Sequence, residues 1–320
     1  MILSVCLITY KRPQGLRRVL EGLNALKFNS LAQPEIEVIV VDNDNNGLAA
    51  RICAEIRPSF NWVLKDGVET QRGITYARNK SVSLASSESD FIAILDDDEI
   101  PEPSWLENLV LAQQEYGADI VTGPVVPYFS ETGTPDWIVK GQFFVPPRFA
   151  TGEEREVAFT NNVLVKSEIF RQLDPVFDNR FAISGGSDAF LFLTLSKAGY
   201  KIVWADNAIV SDGIPSSRTN LKWILFRGYR TWGNYSAYEK ELYPAIFTQA
   251  IRMLKGFALI VLGLVKLLPS LLLGKASLVK SLLTISRGMG TLGGLLGFHY
   301  QEYKHTQFVI EKGLSGNSAA

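Results

Sequence analysis

Four consecutive acidic side chains follow an apolar run in the first third of the chain. Residues 91–95 predict a strand buried on both faces, and Asp96, Asp97, Asp98 and Glu99 come directly after it. Carboxylates packed at one strand end repel each other unless a cation neutralises them. Asp96 and Asp98 are two residues apart on extended chain, so both are expected on the same side. The pattern favours a site where Asp98 holds a hard divalent cation and Asp96 reaches a ribose or a second oxygen. The alternative is a solvated acidic turn.

The acidic residues are placed by alternating strands and helices. Apolar runs predict strands over 3–8, 35–41, 61–64, 91–95, 119–121, 157–165 and 202–204. Helical spacing predicts helices over 16–26, 47–56, 104–116 and 189–198, and a further helix carries Arg78. This alternation predicts an α/β fold with a mostly parallel sheet flanked by helices. In such folds, ligands bind at the carboxyl ends of the strands, where Asp96 lies.

Composition narrows the function classes. The 320 residues suffice for one large or two modest domains, and the net charge of −1 predicts no nucleic-acid partner. Cys6 and Cys53 lack a CxxC partner, so both are expected as buried side chains of an intracellular protein. The chain enters its first strand without a charged leader, which also favours the cytoplasm.

Six short motifs occur in a fixed order along residues 2–235. They are Ile8-Thr9-Tyr10-Lys11-Arg12-Pro13, Val41-Asp42-Asn43, Gly73-Ile74-Thr75-Tyr76-Ala77-Arg78-Asn79, Asp96-Asp97-Asp98, Thr160-Asn161-Asn162-Val163-Leu164 and Gly185-Gly186-Ser187-Asp188. In these motifs the chain resembles the family 2 glycosyltransferases with a GT-A fold. Within that family it is similar to bacterial exopolysaccharide transferases of the succinoglycan type.

The resemblance implies a set of residues that bind a nucleotide-sugar donor. They are Thr9, Tyr10, Arg12, Asp42, Arg78, Asp96, Asp97, Arg227 and Arg230. It also implies that Asp98, with Asp96 and Asp212, binds a divalent cation, Mn²⁺ or Mg²⁺. Two alternatives stay open. Thr9 and Arg12 precede the first helix and would serve as its cap, and Asp212 lies just before Gly213 in a segment that equally suits a surface turn.

The acceptor side of the expected site is built around Asp188. The resemblance makes Asp188 the general base, with Asn162, Gly185 and Gly186 beside the acceptor. Asp188 follows two glycines and begins a helix, so the alternative is a helix N-cap. Trp137 is a candidate for stacking on the acceptor, although loop aromatics more often cover a sheet.

Two features depart from the family pattern. Ser187 stands where the family usually has Glu, which puts the tuning of Asp188 in question. The QxxRW signature of processive members is missing, and Arg227-Gly228-Tyr229-Arg230-Thr231-Trp232 lies where it would fall. We therefore expect transfer of a single sugar.

The last quarter of the chain is strongly apolar. Residues 257–273 and 276–298 form two such stretches, interrupted by Lys266, Pro269, Lys280 and Arg287. Seventeen helical residues extend about 25 Å, short of a hydrocarbon core of roughly 30 Å. The prediction is a helix pair that is held in one leaflet or is re-entrant, after a helix that presents Thr248, Arg252 and Lys255 to the head groups. The alternative is a soluble helical hairpin.

Together these observations predict three segments and one activity. Residues 1–235 form the catalytic domain, with a nucleotide-sugar half at 1–126 and an acceptor half at 127–235. Residues 236–305 form an apolar helical membrane-associating region, and 306–320 a disordered polar tail. The expected activity is inverting, metal-dependent, non-processive transfer, with UDP-hexose as donor and a lipid-linked saccharide or polysaccharide as acceptor. The expected place is the cytoplasmic face of the bacterial inner membrane, peripheral or monotopic. The alternatives are a non-catalytic nucleotide-sugar-binding subunit and a nucleotidylyltransferase.

Overall fold

The computed structural model describes residues 1–129 and 133–298, and the predicted tail at 306–320 lies outside them. The chain divides into two compact units. The first comprises residues 1–126 and 146–212, and the second comprises 127–145 and, among the described residues, 213–298. The predicted domain boundary at 235 falls inside a helix of the second unit, so the division differs from the expected one.

Eleven strands occur among the described residues: β1 (Ile2–Thr9), β2 (Glu35–Asp42), β3 (Val63–Val68), β4 (Phe91–Asp96), β5 (Glu99–Pro101), β6 (Ile120–Thr122), β7 (Val125–Phe129), β8 (Glu154–Arg155), β9 (Val163–Lys166), β10 (Ile202–Trp204) and β11 (Val210–Ile214). The α-helices are α1 (Pro13–Asn24), α2 (Leu48–Ile56), α3 (Ile74–Ser83), α4 (Trp105–Tyr116), α5 (Asp136–Gly141), α6 (Ser167–Arg171), α7 (Ser187–Lys197), α8 (Leu221–Leu242), α9 (Ile246–Leu272) and α10 (Lys275–Leu295).

The first unit is built on one eight-stranded sheet with the order β3-β2-β1-β4-β9-β6-β10-β8. Strands β1 to β4 are parallel to one another, and β9 runs antiparallel between β4 and β6. The predicted α/β fold with a mostly parallel sheet is confirmed. The predicted strand at 157–165 is wrong in extent, because residues 160–161 form a turn and pairing begins only at Val163.

The side-chain alternation of β1 explains the two cores of this unit. Leu3, Val5 and Leu7 point to one face, where they join the buried face of α1. Cys6 points to the opposite face and joins a second cluster that contains side chains of α3, α6 and α7. Helices on both faces bury β1 and β4 completely along their centres, as the continuous apolar runs predict.

The register of the parallel strands brings three polar residues to one edge of the sheet. Thr9 at the end of β1 pairs with Asp42 at the end of β2, and the neighbouring Ile8 pairs with Asp96 at the end of β4. A small second sheet has the order β5-β11-β7, and in it Asp212 pairs with Glu99. The carboxyl edge therefore gathers the acidic residues as expected.

The second unit is helical. Helix α10 packs along both α8 and α9, which barely touch each other. Glycines permit this close packing, since a Cβ on Gly290 would lie 2.1 Å from the backbone oxygen of Tyr229. A small core of Ile138, Ile224, Val279 and Leu283 joins α5, α8 and α10. None of the helices within residues 1–129 and 133–298 combines the length and apolarity that crossing a membrane requires.

Candidate functional site

The acidic turn after β4 is held by the loop after β1. Thr9 Oγ1 donates to Asp97 Oδ2 at 2.6 Å, and Arg12 Nη1 donates to Asp97 Oδ1 at 3.0 Å and Asp98 Oδ2 at 2.7 Å. Burial raises the pKa of Asp97, while Arg12 and Thr9 act in the opposite direction. Helix α1 comes so close here that a Cβ on Gly15 would lie 2.5 Å from the Asp97 backbone oxygen. Thr9 and Arg12, predicted to bind donor, thus brace the turn.

Burial alternates along the turn. Asp97 and Glu99 are buried, while Asp96 and Asp98 are partly exposed on the other side, as their spacing predicts. Glu99 was not singled out from the sequence. Its burial, followed by the charges of Asp96, Asp98 and Asp212, raises its pKa well above the usual value. The alternation of side chains along residues 96–99 is the sequence signal that could have predicted a buried acid at Glu99.

Arg78 supplies the second cation of the cluster. This buried side chain of α3 lies with Nη2 3.5 Å from Asp96 Oδ1, and Nη1 donates to Ser187 Oγ at 3.4 Å. Burial raises the pKa of Asp96 to about 6, with Arg78 lowering it and Asp98, Asp97 and Asp188 raising it further. Arg78 Nε is buried and has no hydrogen-bond partner within the described ranges. This buried donor is therefore unsatisfied inside the protein, which is uncommon for a polar group.

Asp188 lies in the first turn of α7. Gly185 and Gly186 have φ angles of +74° and +86°, a conformation that favours glycine. Gly186 occupies the cap position, and the helix start has no side-chain cap hydrogen bond. Among the described residues, the partly exposed Asp188 carboxylate has neither a hydrogen bond nor an ion pair, although its charge reaches Asp96. The alternative that Asp188 is an N-cap is wrong.

The loop after β2 contains the predicted base-binding acid. Asp42 is buried and accepts from the backbone N–H groups of Asp44 at 3.1 Å and Ala49 at 3.3 Å, and burial raises its pKa. Asn43 was not predicted to act, yet it accepts from the Gly73 N–H at 3.0 Å and ties this loop to the start of α3. Tyr10, in the loop after β1, has the Arg72 guanidinium 5.4 Å from its ring centroid.

Asn162 has a structural task. Its side chain is fully buried, accepts from Trp105 Nε1 at 2.8 Å, and donates to the backbone oxygens of Pro124 at 3.1 Å and Ala208 at 2.7 Å. No part of this amide is exposed to an acceptor. The predicted direct contact with acceptor is therefore corrected, and the Asn162 amide braces β9 against its neighbours.

Three predicted residues lie in the second unit. Arg227 and Arg230 are on α8, where Arg227 lies 5.2 Å from the ring centroid of Trp223. Trp137 on α5 packs edge-on against Phe143 and carries Lys275 4.9 Å from its ring centroid. Their predicted roles toward donor and acceptor stay predictions.

The carboxylates of the turn are candidate ligands for a metal ion. Within residues 1–129 and 133–298, no three acidic, histidine or cysteine side chains converge as metal ligands. Asp96 and Asp98 nevertheless offer partly exposed oxygens of the type that Mg²⁺ and Mn²⁺ prefer. Two carboxylates fit a site that substrate phosphates and water complete, which is the usual arrangement for Mg²⁺. Asp212 is half-buried beside Glu99 and stays a predicted ligand.

Comparison with known proteins gives consistent matches. The model of "Glycosyl transferase family 2" matches residues 4–173. The chain is 32% identical over 230 residues to "Succinoglycan biosynthesis protein ExoM" of Rhizobium meliloti strain 1021, covering 72% of each protein. It is 24% identical over 315 residues to "Glucosyl-dolichyl phosphate glucuronosyltransferase" of Haloferax volcanii, covering 91% of this chain and 95% of that one.

Among solved structures, one similar chain is the mannosyltransferase PcManGT from Pyrobaculum calidifontis in complex with GDP-Man and Mn²⁺. The TM-score is 0.57 at 15% identity, over 99% of this chain and 81% of that chain. At this identity the likeness concerns the fold.

Proposed function

Because the chain belongs to glycosyl transferase family 2, we propose that it moves one sugar from a nucleotide-sugar to a lipid-linked or polysaccharide acceptor, with inversion. The chain is a glycosyltransferase, and its α/β fold is of the expected GT-A type.

One observation carries the proposal most directly. Within the described residues, Asp188 is a partly exposed carboxylate without a hydrogen-bond or ion-pair partner, and its charge acts on the same Asp96 that the buried guanidinium of Arg78 contacts. A base beside a cationic group suits a reaction that removes a proton at one point and develops negative charge at another. Sugar transfer from a nucleoside diphosphate is such a reaction.

The chemistry assigns each residue a step. The acceptor hydroxyl oxygen attacks the anomeric carbon and forms the new glycosidic bond, while Asp188 takes its proton. The bond from the anomeric carbon to the diphosphate oxygen breaks, and its electron pair leaves with the diphosphate. The Arg78 guanidinium neutralises that growing charge. Asp188 then passes its proton to water.

A divalent cation held by Asp96 and Asp98 would supply Lewis-acid stabilisation of the diphosphate when bound. Arg12 already contacts Asp98 at 2.7 Å. Cation binding must therefore shift the Arg12 side chain or share the carboxylate with it. The buried hydrogen bond from Thr9 to Asp97 does not involve Arg12 and keeps the turn in place in either case.

The names of the relatives support the substrate classes. One takes part in succinoglycan biosynthesis and another acts on glucosyl-dolichyl phosphate, which supports exopolysaccharide synthesis on a lipid-linked acceptor here. The mannosyltransferase complexed with GDP-Man and Mn²⁺ supports a nucleotide-sugar donor and a manganese cofactor. We propose that UDP-hexose is the donor and that the enzyme works at the cytoplasmic face of the bacterial inner membrane.

Two other functions fit the chain less well. A nucleotidylyltransferase would need a glycine-rich phosphate loop, which residues 9–15 do not form. The family match also explains the chain without that activity. A non-catalytic binding subunit is favoured only by Ser187. The Ser187 hydroxyl accepts from Arg78 rather than contacting Asp188, so its presence leaves the proposed base in place.

A donor screen tests the proposal. Purified full-length protein with Mn²⁺ is heated with UDP-glucose, UDP-glucuronate, UDP-N-acetylglucosamine and GDP-mannose, and only donors that bind raise the melting temperature. The stabilising donor is then supplied with lipid-linked saccharides, and the anomeric configuration of the product is read by NMR. An inverted linkage is expected. A retained configuration, or donor binding with neither hydrolysis nor transfer, would contradict the proposal.

A further inference from the structure

The outer face of α9 is apolar and uncovered by any other part of the chain that the structure describes. Large exposed side chains on this helix are Ile246, Phe247, Ile251, Met253, Leu254, Phe257, Val261, Leu262, Leu264, Val265, Leu268, Leu271 and Leu272. Val265 is 67% exposed and Leu268 76%. A contiguous apolar patch of this extent marks an interaction surface.

The inner face of α9 packs through small residues. Gly256, Gly263 and Ser270 repeat every seven residues and are its buried positions. The backbones come very close, since a Cβ on Gly263 would lie 2.9 Å from the Ser281 backbone oxygen and one on Gly288 would lie 2.6 Å from that of Gly256. Packing through small residues is typical of helices in lipid. There, apolar side chains gain no hydrophobic free energy by moving from the acyl chains into a helix interface.

The charges of this hairpin are all positive. Residues 246–295 contain Arg252, Lys255, Lys266, Lys275, Lys280 and Arg287 and no acidic residue. Arg252 turns inward to an ion pair with Glu239 and stacks on Tyr235, which corrects the expectation that it faces head groups. Lys255 and Lys266 are exposed and eleven residues apart, about three helical turns, so they share one flank of the apolar face.

We propose that this face of α9 docks on an anionic lipid bilayer. The helix lies along the membrane with its apolar side chains among the acyl chains, and Lys255 and Lys266 reach the head-group phosphates. A second copy of the chain fits this surface less well. A two-fold interface places a patch against itself, so these lysines would meet lysines with no acidic residue on α9 or α10 to oppose them.

This inference deepens the proposed function, because docking would bring the enzyme into the plane of a lipid-linked saccharide. It rests on the proposed function only for the identity of that acceptor. The surface is defined by exposed side chains and charge, whichever sugar is transferred. Binding to lipid and turnover of donor can therefore be measured separately.

The test is flotation of the full-length protein with phosphatidylcholine vesicles, with and without phosphatidylglycerol. Binding is expected only with phosphatidylglycerol and is expected to weaken in high salt. Val265→Asp with Leu268→Asp should lower partition at least tenfold, whereas Val63→Asp, at a similarly exposed valine of β3, should not. Lys255→Gln with Lys266→Gln should lower it about thirtyfold, at about 1 kcal/mol per lysine. Lys27→Gln with Lys197→Gln is the matched control.

Three results would overturn the inference. One is unchanged binding of the Val265→Asp, Leu268→Asp protein to anionic vesicles. Another is equal binding to both vesicle types with no effect of the lysine variants. The third is that the wild type sediments as a dimer and the Val265→Asp, Leu268→Asp protein as a monomer, while both still bind vesicles. That result would assign the face to a second copy of the chain. Donor hydrolysis by the same preparations shows whether each variant is folded. A protein that binds vesicles but acts on none of the donors would contradict the proposed function and leave the membrane-docking inference standing.

Discussion

At the scale of single residues, the acidic turn is balanced by two arginines. Arg12 contacts Asp97 and Asp98, and Arg78 lies beside Asp96. The expectation that clustered carboxylates require a cation is thus met in part by the chain itself. Alternation along the turn was predictable, because it depends on neighbouring residues only. The partners were not, since Arg12 precedes Asp97 by 85 residues and local spacing carries no information about that contact.

The raised pKa of Asp96 predicts a pH dependence of stability. The folded-state pKa of about 6 lies above the ordinary 3.8, so the folded state favours the protonated acid. Stability from this group is present below about pH 4 and is lost as the pH rises through about 6. Asp96→Asn lacks this loss. In urea unfolding with chelator, the variant should gain about 1 kcal/mol over the wild type between pH 4.5 and 7.5, allowing for screening of a side chain that is 33% exposed. A constant difference would contradict the raised pKa.

The proposed role of Asp98 predicts a second variant. Asp98→Ala should abolish the part of donor binding that depends on Mn²⁺, because it removes one of two outward carboxylates. Melting-temperature shifts with donor in Mn²⁺ and in chelator measure this. Arg12→Ala is the control, since it loosens the same turn but leaves Asp98 in place, and its donor binding should still require Mn²⁺. Full transfer activity of the wild type in excess chelator would contradict the metal site.

At the scale of elements, long apolar strands were predictable and short polar ones were not. β1, β2 and β4 have mostly apolar sequences, and the structure extends each predicted range by only one or two residues. β5 and β11 have two or three polar or proline positions among a few residues, so no periodicity marks them. Their pairing nevertheless places Asp212 opposite Glu99.

Asn162 shows how a motif residue can act on the fold rather than on substrate. Asn162→Ala leaves two backbone oxygens and the Trp105 N–H without their buried partner. At roughly 1–3 kcal/mol for each group, the free energy of unfolding should fall by about 3 kcal/mol or more. Asn108→Ala, at a half-exposed asparagine of α4, should cost under about 1 kcal/mol. Wild-type stability with defective acceptor binding would restore the predicted acceptor role.

At the scale of the whole molecule, each compact unit is built from segments that are separated in the sequence. The predicted division into consecutive segments could not describe such units. Residues 127–145 belong with 213–298 because Ile138 packs with Ile224, Val279 and Leu283. The apolar content after residue 245 was visible in the sequence. Its packing partner α8 was not, because Arg227 and Arg230 of α8 were predicted to bind the donor instead.

This division predicts the outcome of a truncation. Removing residues 245–320 deletes α9 and α10 and uncovers Ile138 and Ile224, each buried side chain contributing about 1.5–3 kcal/mol. The truncated protein should aggregate or melt well below the full chain in light scattering and calorimetry. A monodisperse fragment with the full-length melting temperature would show that residues 1–244 fold independently and would contradict the division into these two units.

The most direct test of the account is transfer by Asp188→Asn. Asp188 has no capping hydrogen bond, so the substitution should leave the melting temperature and the donor-induced stabilisation unchanged. Transfer to acceptor should fall by roughly 10² or more, the usual contribution of a general base, while Glu168→Gln at an exposed acid of α6 should transfer normally. Near-normal transfer by Asp188→Asn, with a lowered melting temperature, would contradict the account and make Asp188 a structural residue.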